Sequence, residues 1–259
     1  MDKCSLCLGS GIIVVKKVPK DCLQVYGKEI ELAYTEPCPV CKGAEDKHIF
    51  EVKKRANIPS TYYDAMIDDF KWDIYLDNNN KVIDLSGQKK FIDSFIEHFD
   101  EWERRGLGLY IHSRVRGTGK TYLASCICNT LMKKHQVVTK FVSVSDLINL
   151  ARKELRTGEK DPIEVMCECR LLVLDDIGQK TTGEDWMNDL LFKIIEARYQ
   201  HKKVTLFTSN IKNSELRLDD RITSRIEKIS QNIPLPDYSF RSKESYDEKK
   251  DFFKEMGLM

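Results

Sequence analysis

A run of twelve residues, Ser113 to Ala124 (SRVRGTGKTYLA), carries the residue types of a phosphate cradle. The usual spacing is G-x-x-x-x-G-K-[ST]. Gly119, Lys120 and Thr121 fill its last three places, while Arg114 stands where the first glycine belongs. Glycines let main-chain amides turn inward unobstructed. Those amides, with the positive end of a following helix, attract phosphate oxygens. Lys120 would then reach the β- and γ-phosphates of a nucleoside triphosphate, and the Thr121 hydroxyl would ligate Mg²⁺. Gly117, Thr118 and Tyr122 lie in the same run and are expected to line the nucleotide. Arg114 opens the loop, whereas Gly117 and Gly119 flank the part that must approach phosphate closely. Losing the leading glycine therefore costs less than losing Gly119 would, and Arg114 or Arg116 would add favourable charge. The rival reading is a strand-to-helix turn that binds nothing.

Three further groups bear on that choice. LLVLDDIG places Asp175 and Asp176 after four apolar residues, at the C-terminal end of a strand, where open α/β sheets hold their ligands. Asp175 would complete the Mg²⁺ shell and Asp176 would polarise an attacking water; otherwise the pair sits in a solvated turn. TLFTSN puts Asn210 just past another strand, either to orient that water or as a plain turn residue. In DDRITSRIEK, Arg221 and Arg225 share one helical face, as ordinary surface cations or with one of them serving a neighbouring subunit's nucleotide.

A separate chemistry opens the chain. Cys4, Cys7, Cys38 and Cys41 form two Cys-x-x-Cys pairs, and two such knuckles can complete a tetrahedral Zn²⁺ site. The segments GIIVVKKV and KEIELAYTEP between them would make a hairpin, as in a zinc ribbon. The alternatives are a redox pair or free thiols, and the thioredoxin-like setting that a redox pair needs is absent. Cys126, Cys128, Cys167 and Cys169 fall within core-like elements and read as packing.

The elements that must hold these groups alternate. LGLYIH (107–112), VVTKFVSV (137–144), LLVLD (171–175) and VTLFTS (204–209) read as strands. Helical patterns lie between them, from about 119 to 134 and from 184 to 200, with Ser145 expected to cap another. This alternation predicts an α/β fold with a three-layer, mainly parallel sheet. Upstream, Phe91, Phe95, Phe99 and Trp102 predict one amphipathic helix with a buried aromatic face. LDNNNKVIDLSGQ predicts an exposed loop. The expected division is a zinc-binding module at 1–48, a linker and helical lead-in at 49–105, and a nucleotide-binding region at 106–259.

Composition sets the outer bounds. With 41% hydrophobic and 32% charged residues a buried core is feasible. A net charge of +1 excludes whole-molecule attraction to nucleic acid, so any such surface must be local. No apolar run is long enough for a membrane span. Nine cysteines without an export signal predict a reducing compartment and a cytoplasmic protein.

Together the loop, acidic pair, Asn210 and arginine helix resemble those of AAA+ ATPases, and more narrowly of the DnaC/DnaI-type helicase loaders and their IstB-like relatives. RANIPSTYYDAMIDDF (55–70) is similar to the segment preceding the ATPase core in that group, and Ser239-Phe240-Arg241 to its closing Ser-Tyr-Arg element. The resemblance spans roughly residues 50–241. It implies ATP and Mg²⁺ as cofactors, with Lys120, Asp176, Asn210 and Arg225 in catalysis. Arg225 takes the place of the inter-subunit finger, and Arg241 that of a nucleotide-sensing arginine. It implies weak, partner-stimulated ATP hydrolysis that loads a replicative helicase onto single-stranded DNA, and an ATP-dependent homo-oligomer whose N-terminal zinc module docks on the helicase. Two other readings stay open: an IstB-like helper of a transposase, and a zinc-bearing adaptor whose nucleotide site does not hydrolyse.

Overall fold

The computed structural model describes residues 12–17, 32–37, 53–54, 56–147, 149–150, 162–178, 185–240 and 256. The chain divides into two compact units, residues 1–55 and 56–259. In the first, strands β1 (Ile12–Lys17) and β2 (Leu32–Pro37) pair antiparallel, with Ile12 opposite Pro37 and Lys17 opposite Leu32. The expected hairpin between the cysteine pairs is present. The cysteines themselves lie outside the described residues.

The second unit is built on five parallel strands: β3 (Gly108–His112), β4 (Thr139–Ser143), β5 (Leu171–Asp175), β6 (Val204–Ser209) and β7 (Ser230–Pro234), in the spatial order β4-β5-β6-β3-β7. Side chains alternate across the pleat. Leu109, Ile111, Leu171, Val173, Val204 and Leu206 enter one buried core; Tyr110, Leu172, Leu174 and Phe207 enter the other. Both faces are thus covered, which is why the middle strands are almost wholly apolar.

On the first face lie α1 (Ser86–Glu97), α2 (Phe99–Arg105) and α3 (Lys120–His135), whose Ile92, Phe95, Phe99, Leu123, Ile127 and Leu131 join that core. The lead-in packs there too. Asn129 Nδ2 of α3 donates to the carbonyls of Tyr62 and Ala65, both at 2.8 Å. The opposite core is filled from α4 (Pro162–Glu168), α5 (Asp185–Gln200) and α6 (Asp220–Ile229), through Ile163, Leu191, Ile194, Ile222 and Ile226 among others.

Three expectations need correcting, and one strand had not been expected. The aromatic stripe at 91–102 is two helices, broken at His98, whose backbone is not helical (φ −116°, ψ 34°). Phe91 is 44% exposed, not buried. A strict four-residue spacing drifts about 40° per step around a helix of 3.6 residues per turn, so the buried row runs through Ile92, Phe95 and Ile96 instead. The helix after β4 begins at Val144, and its cap is Ser143, not Ser145: Ser143 Oγ accepts the Asp146 N–H at 3.1 Å. The fifth strand, Ser230–Pro234, lacks any alternating apolar pattern. It is an edge strand that buries Ile233 and is held by its ladder to β3.

Candidate nucleotide-binding site

Because all five strands are parallel, the segments after β3, β5 and β6 leave the sheet at the same edge, where strand order reverses around β3. The segment after β3 is the glycine loop. Gly117 and Gly119 both sit at positive φ, 77° and 88°. A Cβ at Gly119 would lie 3.4 Å from the Tyr75 hydroxyl. That hydroxyl donates to the Thr118 carbonyl at 2.9 Å, and the Phe240 N–H donates to the Gly117 carbonyl at 2.9 Å. The loop is therefore pinned from both the lead-in and the C-terminal segment. Tyr75 packs edge-on against Phe240, and Phe70 stacks on Tyr122, so aromatic rings line this side. Lys120 is 5% exposed, and its ammonium donates to the Val115 carbonyl at 2.9 Å and to Thr118 Oγ1 at 3.2 Å.

Arg114 does not enter the loop. Its guanidinium donates to Glu215 at 2.9 Å, and its N–H donates to Asp237 Oδ1 at 2.8 Å. Its φ is not positive, so the backbone here needs no glycine. The departure from the usual spacing is a side chain turned outward.

The acidic pair lies opposite the loop. Thr121 Oγ1 donates to Asp175, 3.0 Å from Oδ1 and 3.3 Å from Oδ2. Burial pushes the Asp175 carboxyl above the usual carboxylate range and the Asp176 charge adds to this, while the hydroxyls of Thr208 and Thr121 and the Lys120 charge draw it back. Asp176 takes a left-handed backbone (φ 59°), and its carboxylate accepts from Asn210 Nδ2 at 3.2 Å. Asn210 Oδ1 is buried and accepts no hydrogen bond from the described residues. Thr121, Asp175, Asp176 and Asn210 are thus linked through Thr208 in one hydrogen-bonded cluster, and the Lys120 charge acts on Asp175. Sequence reasoning missed Thr208, whose hydroxyl bonds to both aspartates; its one signal was a polar residue within the apolar β6 run.

Two hard oxygen donors in contact, Thr121 and Asp175, suit a Mg²⁺ ion. Inward-turning amides and the start of α3 suit phosphate. The donor set fits Mg·ATP.

Other predicted residues lie apart. Arg225 on α6 donates from Nε to Glu196 at 2.7 Å, and its guanidinium stands 4.7 Å from the Tyr199 ring centroid, both on α5. Arg221 is held by Asp219 and stands over Phe192. Arg241 lies outside the described residues. Cys126, Cys128 and Cys169 are buried and free, and burial pushes the Cys126 thiol up to about 12. Such thiols pack rather than react.

The sequence pattern of the IstB-like ATP binding proteins matches residues 113–245, about half of the 259-residue chain. The chain belongs to this family. Among curated proteins, the replicative helicase loader DnaC of Escherichia coli (strain K12) is 26% identical over 152 residues, covering 57% of this chain and 61% of that protein. The replicative helicase loader DnaI of Bacillus subtilis (strain 168) is 24% identical over 212 residues, covering 80% and 63%. The alignments thus span about three fifths of the length of these relatives. A crystal structure of DnaI superposes with a TM-score of 0.56 at 25% identity, covering 69% of this chain and 95% of that one. No helix among the described residues is long and apolar enough to cross a membrane.

Proposed function

We propose that this IstB-like chain is an ATP-dependent loader that delivers a replicative DNA helicase to single-stranded DNA. The observation that carries the ATP site is the Thr121–Asp175 contact beside the paired left-handed glycines and the buried Lys120. Thr118, Gly119, Lys120 and Tyr122 would hold the nucleotide, and Thr121 and Asp175 the Mg²⁺, which when bound would neutralise charge on the phosphates. Asp176 would polarise the attacking water. Asn210 already donates to Asp176, and its unsatisfied Oδ1 would accept from that water. Arg225, whose contacts among the described residues are with Glu196 and Tyr199 and not with its own loop, would complete the site of a neighbouring copy in an ATP-dependent oligomer.

The loader reading draws on the two helicase-loader relatives. Its test is to mix the purified chain with its host's replicative helicase and single-stranded DNA. A complex that changes with Mg·ATP, and ATP turnover that rises with both partners, is the expected outcome. Indifference to the helicase would overturn it, and capture of a transposase in its place would favour the transposase-helper reading.

The proposed division is residues 1–48 as a zinc-binding module that contacts the helicase, 49–105 as a lead-in and 106–259 as the ATPase region. Four thiolates from Cys4, Cys7, Cys38 and Cys41 suit Zn²⁺. In the β1–β2 register Ile12 faces Pro37, so the chain leads to both pairs from one end of the hairpin. Elemental analysis should give one zinc per chain. Its loss in Cys38→Ser is expected, and a metal-free wild type would refute the site.

A further inference from the structure

Thr208 lies near the end of β6, fully buried, and no expected role falls to it. Its hydroxyl donates to Asp175 Oδ1 at 2.6 Å and accepts the Asp176 N–H at 2.9 Å. Its carbonyl accepts the Ile177 N–H at 2.9 Å. One residue thus bonds to three consecutive residues of the strand end that carries the acidic pair.

The chemistry of this arrangement is specific. A hydroxyl has one proton to donate and lone pairs to accept. Here the proton goes to Asp175 and a lone pair takes the amide between the two aspartates. The chain Asp176 N–H to Thr208 O–H to Asp175 Oδ1 fixes one carboxylate oxygen and, through the peptide, the left-handed turn at Asp176. That turn aims the second carboxylate at Asn210 rather than beside the first. A β-branched side chain in a strand has little χ1 freedom, so the hydroxyl is pre-set.

Resting on the ATP-site reading above, we propose that Thr208 is a positioning residue. It holds Asp175 in the orientation that presents its other lone pairs to the metal, and it keeps Asp176 turned toward the attacking water. Thr121 also donates to Asp175, but its hydroxyl is needed at the metal. Thr208 is the hydroxyl that can remain on the carboxylate when Thr121 leaves it.

Thr208→Val keeps the shape and removes both side-chain bonds; Thr208→Ser keeps the hydroxyl. Partners of this kind are commonly worth about 10–100-fold in metal affinity or activity. The expected result for Thr208→Val is a loss of about that size in kcat at saturating Mg·ATP, with KM for ATP little changed. A matching weakening is expected of Mn²⁺ binding to the ATP complex, read by electron paramagnetic resonance. Thr208→Ser should recover most of both. If Thr208→Val does not fold, Thr208→Cys, a weak donor of similar size, takes its place with the same expected losses. Wild-type kcat and Mn²⁺ affinity in Thr208→Val would overturn the proposal, as would equal impairment of the Ser and Val variants. A wild-type chain that binds no nucleotide would instead defeat the ATP-site reading, which separates the two failures.

Discussion

Lys120→Ala is expected to lower ATP turnover by about 10²–10³-fold, the usual consequence of removing one preorganised donor from a site where transition-state charge develops. The lysine is the first residue of α3 and 5% exposed, held between the Val115 carbonyl and Thr118 Oγ1. Those partners belong to the loop itself, so the ammonium is poised within the ring of amides where phosphate oxygens would lie. Truncation leaves other pins of the loop in place: Tyr75 still donates to the Thr118 carbonyl, and Phe240 to that of Gly117. The fold should therefore survive, with circular dichroism and melting close to wild type. Turnover would be read as phosphate release with the helicase and single-stranded DNA present. Undiminished turnover in a well-folded Lys120→Ala chain would show that catalysis does not use this loop.

The largest effect on stability is expected away from the site, at Arg198. This arginine of α5 is fully buried and has no carboxylate partner among the described residues. Its Nε donates to Thr205 Oγ1 at 2.9 Å, and one terminal nitrogen donates to the carbonyls of Met166 at 2.7 Å and Cys169 at 2.9 Å. The other terminal nitrogen donates to the Val204 carbonyl. The Met166 carbonyl and that of Cys167, which the same nitrogen reaches at 3.4 Å, belong to the last turn of α4, where helical carbonyls lack partners and a cation is favoured by the dipole. Burial lowers the guanidinium pKa, yet arginine stays protonated in proteins, so carbonyl dipoles must carry the charge. One side chain thereby ties α4, α5 and β6 together. Arg198→Ala would leave several buried carbonyls unpaired and is expected to cost about 3–5 kcal/mol, comparable to breaking a buried ion pair. For a unit of this size that is a fall in Tm of roughly 6–20 °C. Calorimetry checks it. A Tm within a degree or two of wild type would mean that water or a shifted side chain replaces the guanidinium.

The contrast between Lys120 and Arg198 shows what sequence does and does not disclose. Lys120 stands in a run whose glycine spacing has a backbone cause, two positive-φ residues, so the motif is visible before folding. The strands β3, β5 and β6 were legible because burial on both faces demands unbroken apolar residues. Asp175, Asp176 and Asn210 were legible because each stands at the end of such a strand or just past it. Arg198 and Thr208 carry no local pattern, since their partners lie up to 33 residues away and meet them only once the sheet has formed. The strand Ser230–Pro234 escaped for a related reason: an edge strand is specified by its neighbour's ladder more than by its own side chains. Arg114 was read from spacing as a substitution inside the cradle. Its pairing with Glu215, 101 residues on, depends on tertiary structure.

Nucleotide affinity is the central quantity, and titration of the full chain with a fluorescent ATP analogue and Mg²⁺ measures it directly. Wild type and Arg114→Gly should bind with similar affinity, because the guanidinium engages an exposed pair worth at most about 1 kcal/mol and its backbone needs no glycine. Lys120→Ala should bind far more weakly. Saturable binding in Arg114→Gly with none in wild type would mean that Arg114 blocks the loop, and no binding in either would contradict the account outright.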